Sequence, residues 1–227
     1  MEKINIEGKE FILKKETLFL GRKKINKKIA TKNLIDFKNI MTKNKVAFLL
    51  GYGTLLGAIR EHDFISHDED IDILMLEEDK VEFFNVLIEL QKIGFNLCRY
   101  DKRGLLSIMR EGEYIDLYFF HKYKNGIYKC AGEFVEKDFL YKKQKIYFLN
   151  TEFDIPKNAE ELLKFWYGDN WKIPVNYSKN SNKFFSLKLA VFKEKLKGNL
   201  PKFMKNMIYF LLEKKNEKIF MKKLKRK

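Results

Sequence analysis

The sequence predicts an α+β fold, in which helices flank a mixed β-sheet and a basic helical tail follows at the C-terminus. Two patterns indicate this class. In the first half of the chain, apolar positions at helical spacing alternate with short apolar runs, and between residues 95 and 120 several strand-like runs follow one another. The chain has 227 residues, of which 45% are hydrophobic, so it can supply the core of one domain plus an appendage.

The N-terminal quarter predicts a hairpin, a helix and a short strand. Residues 1–28 hold short apolar runs between charges, which indicates a hairpin or arm. Apolar residues at positions 30, 34, 37 and 41 have the spacing of an amphipathic helix that begins at Ile29. The run V-A-F-L-L (46–50) predicts a buried strand, and the glycines of G-Y-G-T then lead into a helix with Thr54 as its expected cap.

A second strand, D-I-D-I-L-M, follows at residues 70–75. Because side chains alternate along a strand, Asp70, Asp72 and Leu74 should share one face and the intervening apolar residues the other. The pattern from Glu78 to Ile93 then predicts a helix that stops at the glycine after it.

Three strand-like runs come next: F-N-L-C-R-Y, L-L-S-I-M-R and Y-I-D-L-Y-F-F. The last of them places Asp116 on the face opposite Ile115 and Leu117. G-I-Y-K-C and K-I-Y-F-L predict two further strands. A helix over 158–167, bracketed by proline and glycine, completes the body.

The net charge of +15 is concentrated at the C-terminus. Residues 183–227 contain 15 Lys/Arg and 3 Glu, whereas residues 1–182 contain 31 Lys/Arg and 28 Asp/Glu. This distribution argues against a nucleic-acid-binding protein, whose basic stripe would lie on the folded body. After a polar, linker-like stretch at 176–183, the tail predicts a basic amphipathic helix, which either meets an anionic membrane surface or packs against the domain as an ordinary helix. Its apolar positions are Leu200, Phe203, Met204, Met207, Ile208, Leu211 and Leu212. We therefore divide the chain into an arm (1–28), a catalytic domain (29–176) and a tail (177–227).

The cellular location is predicted from cysteine content and hydropathy. Cys98 and Cys130 show neither metal-site spacing nor a disulfide framework, which favours a reducing compartment. Charges interrupt the apolar residues of the first fifteen positions, and no apolar run is long enough to span a bilayer. We expect a cytoplasmic protein, peripheral on the inner face of the cell membrane.

The acidic run Asp68, Glu69, Asp70 and Asp72 lies at the start of a strand that should be buried. Carboxylates at a core element cost free energy unless a cation neutralises them. Two aspartates at i and i+2, with Asp116 on a later strand, can hold hard divalent cations such as Mg²⁺ or Mn²⁺, and a pair of ions suits phosphoryl or nucleotidyl transfer. The Gly53–Thr54 turn would add backbone N–H donors for phosphate.

Each of these features also has an ordinary structural explanation. The D-x-D pair could be a solvated turn, the Gly-Thr pair a capped turn, and Asp116 a buried carboxylate with hydrogen-bond partners. Arg60 could be a surface cation, and the three histidines have no mutual spacing that requires a role. The conjunction of these features in one chain favours metal-dependent phosphate chemistry.

The chain resembles a known family over roughly residues 30–175. G-Y-G-T-L-L-G-A-I-R followed by F-I-S-H-D-E-D-I-D-I resembles the signature of the LicD/fukutin-type transferases, within the nucleotidyltransferase-fold superfamily. Y-I-D-L-Y-F-F matches the strand with the third carboxylate, and I-P-K-N-A-E-E-L-L-K-F-W-Y-G-D-N-W-K-I-P matches the closing element. The resemblance implies a nucleotidyltransferase-like mixed sheet.

Matched by position, Asp70 and Asp72 correspond to the paired metal ligands and Asp116 to the third carboxylate. Gly53 and Thr54 correspond to the turn near the donor phosphates. Asp68 matches the first member of the acidic run, and Arg60 is our candidate for a further phosphate contact. Glu69 replaces the family's usual aspartate, and Ser66-His67 stands where proline-tryptophan is common.

The resemblance implies metal-dependent transfer of a phospho-alcohol, such as phosphocholine, from a cytidine-diphosphate (CDP) donor to a hydroxyl of a glycan or its lipid-linked precursor. Asp116 would bridge metal or accept the acceptor's proton. Two alternatives stay open: a nucleotidyltransferase that places a nucleoside monophosphate on a sugar, small molecule or protein, and a non-catalytic module that tethers glycan assembly to the membrane.

Overall fold

The computed structural model describes residues 1–16, 18, 23–174 and 200–225. The polar stretch at 176–183 and the predicted boundary between domain and tail lie outside these described residues. None of the described helices is both long and apolar enough to cross a bilayer.

The described elements confirm the α+β class. The strands are β1 (Glu2–Ile6), β2 (Lys9–Leu13), β3 (Leu49–Leu50), β4 (Ile71–Leu76), β5 (Asn96–Asp101), β6 (Leu105–Arg110), β7 (Glu113–Lys124), β8 (Ile127–Cys130), β9 (Glu133–Glu136), β10 (Lys143–Phe148) and β11 (Thr151–Pro156). The helices are α1 (Lys27–Lys43), α2 (Tyr52–Arg60), α3 (Lys80–Lys92), α4 (Asp138–Tyr141), α5 (Ala159–Tyr167) and α6 (Lys202–Leu224), and a 3₁₀ turn (Glu77–Asp79) precedes α3.

Within the described ranges, nine strands form one mixed sheet. Seven of them lie in the order β1-β2-β5-β6-β7-β4-β3, and β8 and β9 extend from the far half of β7. β4 runs parallel to β7, while β6 pairs with β7 and with β5 in antiparallel register. β10 and β11 form a separate antiparallel pair. β7 is therefore the central strand, and residues on it can meet side chains from both neighbours.

The predicted N-terminal hairpin is present as β1 and β2. It joins the edge of the large sheet, since Leu13 pairs with Leu97 of β5 in parallel register. Its inward side chains, Ile6 and Phe11, belong to the same buried core as the rest of the body. The hairpin therefore extends the central sheet.

Helices α1 and α3 pack against each other, and α1 also contacts β7. The predicted stripe of α1 is confirmed, because residues 30, 34, 37 and 41 are fully buried. α3 is followed by Gly94 with φ +98°, a backbone conformation that favours glycine and ends the helix as predicted.

Several local predictions were wrong. Thr54 does not cap α2, because the helix begins at Tyr52 with Gly51 as its N-cap. The strand expected over 46–50 is reduced to two residues. The sequence reasoning also missed β9, β11 and α4, which are short elements whose formation depends on tertiary partners.

The predicted tail helix is present as α6, and one face of it packs on the body. Asn216 donates to the carbonyl of Gly132 (3.1 Å), Lys129 pairs with Glu213 (2.7 Å), and Phe220 is buried. The predicted apolar residues divide between two faces: Met204 and Ile208 are half-buried, whereas Phe203, Met207 and Leu211 are exposed. The prediction of a single apolar face was therefore wrong.

Candidate active site

A row of four polar side chains crosses the centre of the sheet. Asp72 on β4 pairs with Asp116 on β7. Asp116 pairs with Ser107 on β6, and Ser107 pairs with Arg99 on β5. Since residues directly opposite each other in a sheet project to the same face, all four side chains lie on one side. We call Arg99, Ser107, Asp116 and Asp72 the polar row.

Asp70 joins two members of the polar row to form a carboxylate cluster. Asp70 lies immediately before β4, and one carboxylate oxygen each from Asp70, Asp72 and Asp116 lies within 4.8 Å of the others. Asp72 and Asp116 are only 6% and 4% exposed, and Asp70 is half-buried. The structure therefore brings together the three aspartates that the sequence predicted as metal ligands.

The start of α2 holds Asp72 in place. The Gly53 N–H donates to Asp72 Oδ2 (2.9 Å), and the Asp72 N–H donates to Thr54 Oγ1 (2.9 Å). The Gly53–Thr54 turn therefore lies at the cluster, where it positions a carboxylate. The contacts with donor phosphates that we predicted for Gly53 and Thr54 stay predictions.

Two residues that the sequence reasoning missed, Ser107 and Arg99, hold Asp116. The Ser107 hydroxyl donates to Asp116 Oδ1 (2.6 Å), and Arg99 forms an ion pair with Asp116 Oδ2. Arg99 Nε also donates to Ser107 Oγ (2.8 Å). The sequence did contain an indication of Ser107, which lies inside the apolar run L-L-S-I-M-R. A hydroxyl in a buried strand needs a hydrogen-bond partner.

The electrostatic environment of the carboxylate cluster favours binding of a cation. Burial raises the pKa of Asp70 and of Asp72 well above the usual range, and neighbouring carboxylates add to both shifts. Burial also raises the pKa of Asp116, although Arg99 and Ser107 oppose that shift. Without a metal cation, Asp70 and Asp72 favour their protonated forms, whereas Asp116 is already paired with Arg99. A bound cation would favour their ionised form.

Asp68 adds a fourth carboxyl group beside the turn. Its Oδ2 is buried and has no hydrogen-bond partner in the described part of the chain, and burial raises the pKa of Asp68 to about 6. The same oxygen lies so close to Gly53 that a Cβ there would overlap it, which explains the glycine. A buried oxygen acceptor without a donor, next to three clustered carboxylates, fits a hard divalent cation such as Mg²⁺.

Arg60 lies away from the cluster. It is the last residue of α2, eight residues after Tyr52 and so roughly 12 Å along the helix axis. Its guanidinium donates to the carbonyl of Trp171 (3.1 Å) and pairs with Glu61 (2.9 Å). The phosphate contact proposed for Arg60 therefore stays a prediction, and its observed role is to hold the segment after α5.

An aromatic pocket of about 480 Å³ adjoins the cluster. Tyr118 lies two residues after Asp116 on the same face of β7, and Tyr52 directly precedes Gly53. The Tyr52 ring stacks on Trp166 at 4.3 Å between centroids and lies 4.8 Å from the Tyr118 ring. We call this cavity the aromatic pocket; its lining residues are Tyr52, Leu105, Tyr118, Ala131, Glu133, Trp166 and Tyr167.

Curated relatives include proteins of Rickettsia and Haemophilus. An uncharacterised protein of Rickettsia typhi is 28% identical over 167 residues, which cover 71% of this chain and 52% of the relative. The lipopolysaccharide cholinephosphotransferase LicD of Haemophilus influenzae is 35% identical over 66 residues, which cover 29% of this chain and 25% of that enzyme. The chain thus spans about half or less of the length of these relatives.

Solved structures with a similar arrangement include two antibiotic-modifying enzymes. The lincosamide adenylyltransferase LnuA, bound to lincomycin, is 15% identical with a TM-score of 0.44, and the match covers 69% of this chain and 93% of that one. ANT(2")-Ia in complex with adenylyl-2"-tobramycin is 13% identical with a TM-score of 0.47, over 84% and 98% of the two chains.

The sequence model of the LicD/FKTN/FKRP nucleotidyltransferase domain matches residues 45–176. This match includes α2, the carboxylate cluster, β7 and α5, and it covers more than half of the chain. This protein therefore belongs to the LicD/FKTN/FKRP family of nucleotidyltransferase-fold proteins.

Proposed function

We propose that this protein transfers a phospho-alcohol group from a CDP-linked donor to a hydroxyl of a glycan or its lipid-linked precursor. The observation that carries the proposal is the carboxylate cluster of Asp70, Asp72 and Asp116 at the start of α2 in a member of this family. Three clustered carboxylates with raised pKa values are costly in a purely structural role, and they are what a metal-dependent transferase requires.

The aspartates of the cluster would hold Mg²⁺ or Mn²⁺, and we propose two ions. Bound there, the ions would neutralise the diphosphate and stabilise the departing oxygen. The turn of Gly53 and Thr54 keeps Asp72 in place through two hydrogen bonds, and Ser107 with Arg99 orients Asp116. These contacts leave lone pairs on both carboxylates for ligation.

In the proposed reaction, the acceptor oxygen forms a bond to the phosphorus that carries the alcohol. The bond between that phosphorus and the bridging oxygen breaks, cytidine monophosphate (CMP) leaves, and a base takes the proton of the acceptor hydroxyl. Asp116 serves as a ligand, as that base, or as both. Because Arg99 and Ser107 already donate to its two oxygens, the ligand role has the stronger support.

The test is to incubate the purified protein and Mg²⁺ with a panel of CDP-alcohols and to measure release of CMP with and without glycan acceptors. We expect metal-dependent release from one donor class and none after addition of a chelator. A parallel panel of nucleoside triphosphates, read by pyrophosphate release, tests the nucleotidyltransferase alternative. Turnover with triphosphates alone would overturn the phospho-alcohol proposal, and no turnover in either panel would favour the non-catalytic module.

We also propose that α6 attaches the enzyme to an anionic membrane at the inner face of the cell membrane. On the side away from the body, an exposed stripe is formed by Phe203, Met207, Phe210 and Leu211, which are 71%, 55%, 59% and 58% exposed. Their spacing of i, i+4, i+7 and i+8 continues into Lys214 and Lys218, both exposed. Apolar residues followed by lysines suit an anionic lipid surface, where each lysine contributes roughly 1 kcal/mol.

Sedimentation with vesicles tests this attachment. We expect the protein to bind phosphatidylglycerol vesicles at low salt and to lose binding at high salt. Replacing Phe203 and Phe210 by serine should weaken binding, whereas Ile219→Ser, an exposed residue of α6 away from the stripe, should not. Equal binding of neutral and anionic vesicles, or no effect of the double variant, would contradict the proposal.

A further inference from the structure

Arg99 reaches the carboxylate cluster from two strands away. It lies on β5, and β6 separates it from β7, so its Cα atom is roughly 10 Å from that of Asp116. The arginine side chain spans this distance and forms the ion pair with Asp116 Oδ2. Burial raises the pKa of Asp70 and the charge of Arg99 opposes that shift, so the guanidinium also acts on a second member of the cluster.

The guanidinium of Arg99 keeps hydrogen-bond donors for a ligand. Of its five N–H groups, one at Nε donates to Ser107 Oγ (2.8 Å) and one at Nη2 donates to Asp116. In the described part of the chain, the other three donate to no protein acceptor. The Arg99 side chain is 30% exposed, against 6% for that of Asp116. These donors are therefore accessible beside a carboxylate that is almost fully buried.

The charge balance of the site leaves Arg99 available to an anion. Two divalent ions, as in the proposed function, would balance the carboxylate cluster together with Asp68 beside it. Arg99 would then be the excess positive charge of the site. A diphosphate brings further negative charge, and ions already shared among carboxylates offset that charge only in part.

Arg99 is better placed for a phosphate contact than Arg60, the arginine that the sequence suggested. Arg60 lies at the far end of α2, where its guanidinium donates to the carbonyl of Trp171. Arg99 lies beside the cluster, on the same face of the sheet as Asp116. A guanidinium presents paired N–H donors that match two phosphate oxygens.

We propose that Arg99 binds the diphosphate of the donor during transfer, as a substrate-contacting residue that the sequence reasoning missed. The proposal rests on the proposed function. Without donor, Arg99 pairs with Asp116; with donor bound, its remaining N–H groups contact diphosphate oxygens and stabilise the negative charge that the departing CMP takes with it. Ser107 keeps the guanidinium in place through the bond to Nε.

Inorganic pyrophosphate tests this contact without turnover. Its binding is measured by calorimetry at a fixed excess of Mg²⁺. We expect Arg99→Met to weaken binding about tenfold, because charge-assisted hydrogen bonds are lost. Lys102→Met removes an equal charge from the exposed β5–β6 turn and should leave binding unchanged. Equal losses in the two variants would indicate a general effect of charge and would overturn the proposal.

A double variant separates a direct phosphate contact from an effect through Asp116. Arg99→Met alone leaves a buried carboxylate without its cation, which destabilises the protein. Combining it with Asp116→Asn removes that carboxylate as well. We expect the Arg99 substitution to weaken pyrophosphate binding about tenfold in the Asp116→Asn background too. No further loss in that background would limit Arg99 to positioning Asp116 and would overturn the proposal.

Arg99→Lys keeps a positive charge beside Asp116, but one ammonium group must serve both the carboxylate and the phosphate. We expect an unfolding free energy close to that of the unmodified protein, weaker pyrophosphate binding, and a kcat for CMP release lowered about a hundredfold. Normal kcat and normal pyrophosphate affinity in this variant would overturn the Arg99 assignment alone. If no donor releases CMP but Arg99→Met still weakens pyrophosphate binding, the proposed function fails and the assignment stands.

Discussion

The polar row and the aromatic pocket adjoin each other, but they are built in different ways. The polar row consists of side chains at directly paired positions on four neighbouring strands, and its two aspartates are almost fully buried. The aromatic pocket is assembled from the start of α2, strand β7, the β8–β9 turn and the end of α5, and its lining is half-buried or exposed. Sheet register holds the row rigidly, whereas the pocket depends on several separate segments.

Helix α6 supports two of those segments. Asn216 donates to the carbonyl of Gly132, in the β8–β9 turn beside Glu133. Lys223 donates to the carbonyl of Phe165, next to Trp166 on α5, and Phe220 packs against the Phe165 ring at 5.2 Å. The tail that we propose to meet the membrane therefore also holds two walls of the pocket. Because sheet register holds the polar row whereas separate segments form the aromatic pocket, we expect large effects on activity from substitutions in the polar row and smaller effects from substitutions at the aromatic pocket.

The largest effect is expected for Asp72→Asn. Loss of one carboxylate from the cluster removes a metal ligand and should lower kcat for CMP release by roughly three orders of magnitude or more. The unfolding free energy of the metal-free protein should stay equal or rise, because burial and neighbouring carboxylates disfavour the charge of Asp72. Asp138→Asn on the surface of α4 is the control. Near-normal turnover of Asp72→Asn would exclude the cluster as the active centre.

A smaller effect is expected for Ser107→Ala. The Ser107 hydroxyl orients Asp116 and receives a hydrogen bond from Arg99, so its removal should weaken Mg²⁺ binding by about tenfold. Loss of buried hydrogen bonds should also lower the unfolding free energy by about 1–2 kcal/mol. Calorimetric metal titration and denaturant unfolding measure the two effects. Unchanged metal affinity would limit Ser107 to a structural role.

Without bound metal, these carboxyl groups should make the protein less stable as pH rises, which is the opposite of the usual effect of aspartates. The folded-state pKa of Asp68 is about 6 and those of Asp70 and Asp72 are raised, so the native state binds more protons than the unfolded state from about pH 4 upward. Their contribution therefore falls as pH rises through this range, and the shift of Asp68 alone corresponds to roughly 1 kcal/mol between pH 5 and 8.

Thermal unfolding in the presence of a chelator tests whether the metal-free protein loses stability as pH rises. We expect the difference in unfolding free energy between pH 5 and pH 8 to shrink in Asp72→Asn. Mg²⁺ should stabilise the protein more at pH 8 than at pH 5, because ligation requires ionised carboxylates. A metal-independent stability at both pH values would contradict the cation site.

The smallest effect is expected for Lys223→Met, which acts on the pocket. Loss of the hydrogen bond to the Phe165 carbonyl should loosen the α5 wall and raise KM for the donor about three- to fivefold with kcat unchanged. Lys223→Arg should restore part of the affinity, and Lys222→Met on the same helix should have no effect. A fall in kcat without a change in KM would show that α6 acts on the polar row.

Much of the body could be predicted from local patterns. The stripe of α1, the stop of α3 at Gly94 and the strands around Asp72 and Asp116 follow from apolar spacing and glycine placement, and the structure has them all. The three clustered aspartates were found because D-x-D and Y-I-D each place a carboxylate in an apolar run. Short elements such as β9 and β11 were missed, since their stability comes from partners distant in sequence.

By itself, the sequence determined the longer described helices, the main strands and the identity of the three clustered carboxylates, because side-chain periodicity is a local property of the chain. Only the tertiary structure decided which residues join them. Pairing of β5, β6 and β7 brings Arg99 and Ser107 to Asp116, and the fold leaves Arg60 at the far end of α2. The register between strands, like the assembly of the aromatic pocket from separate segments, is set by packing between residues that are distant in sequence. A local sequence pattern carries no information about such packing.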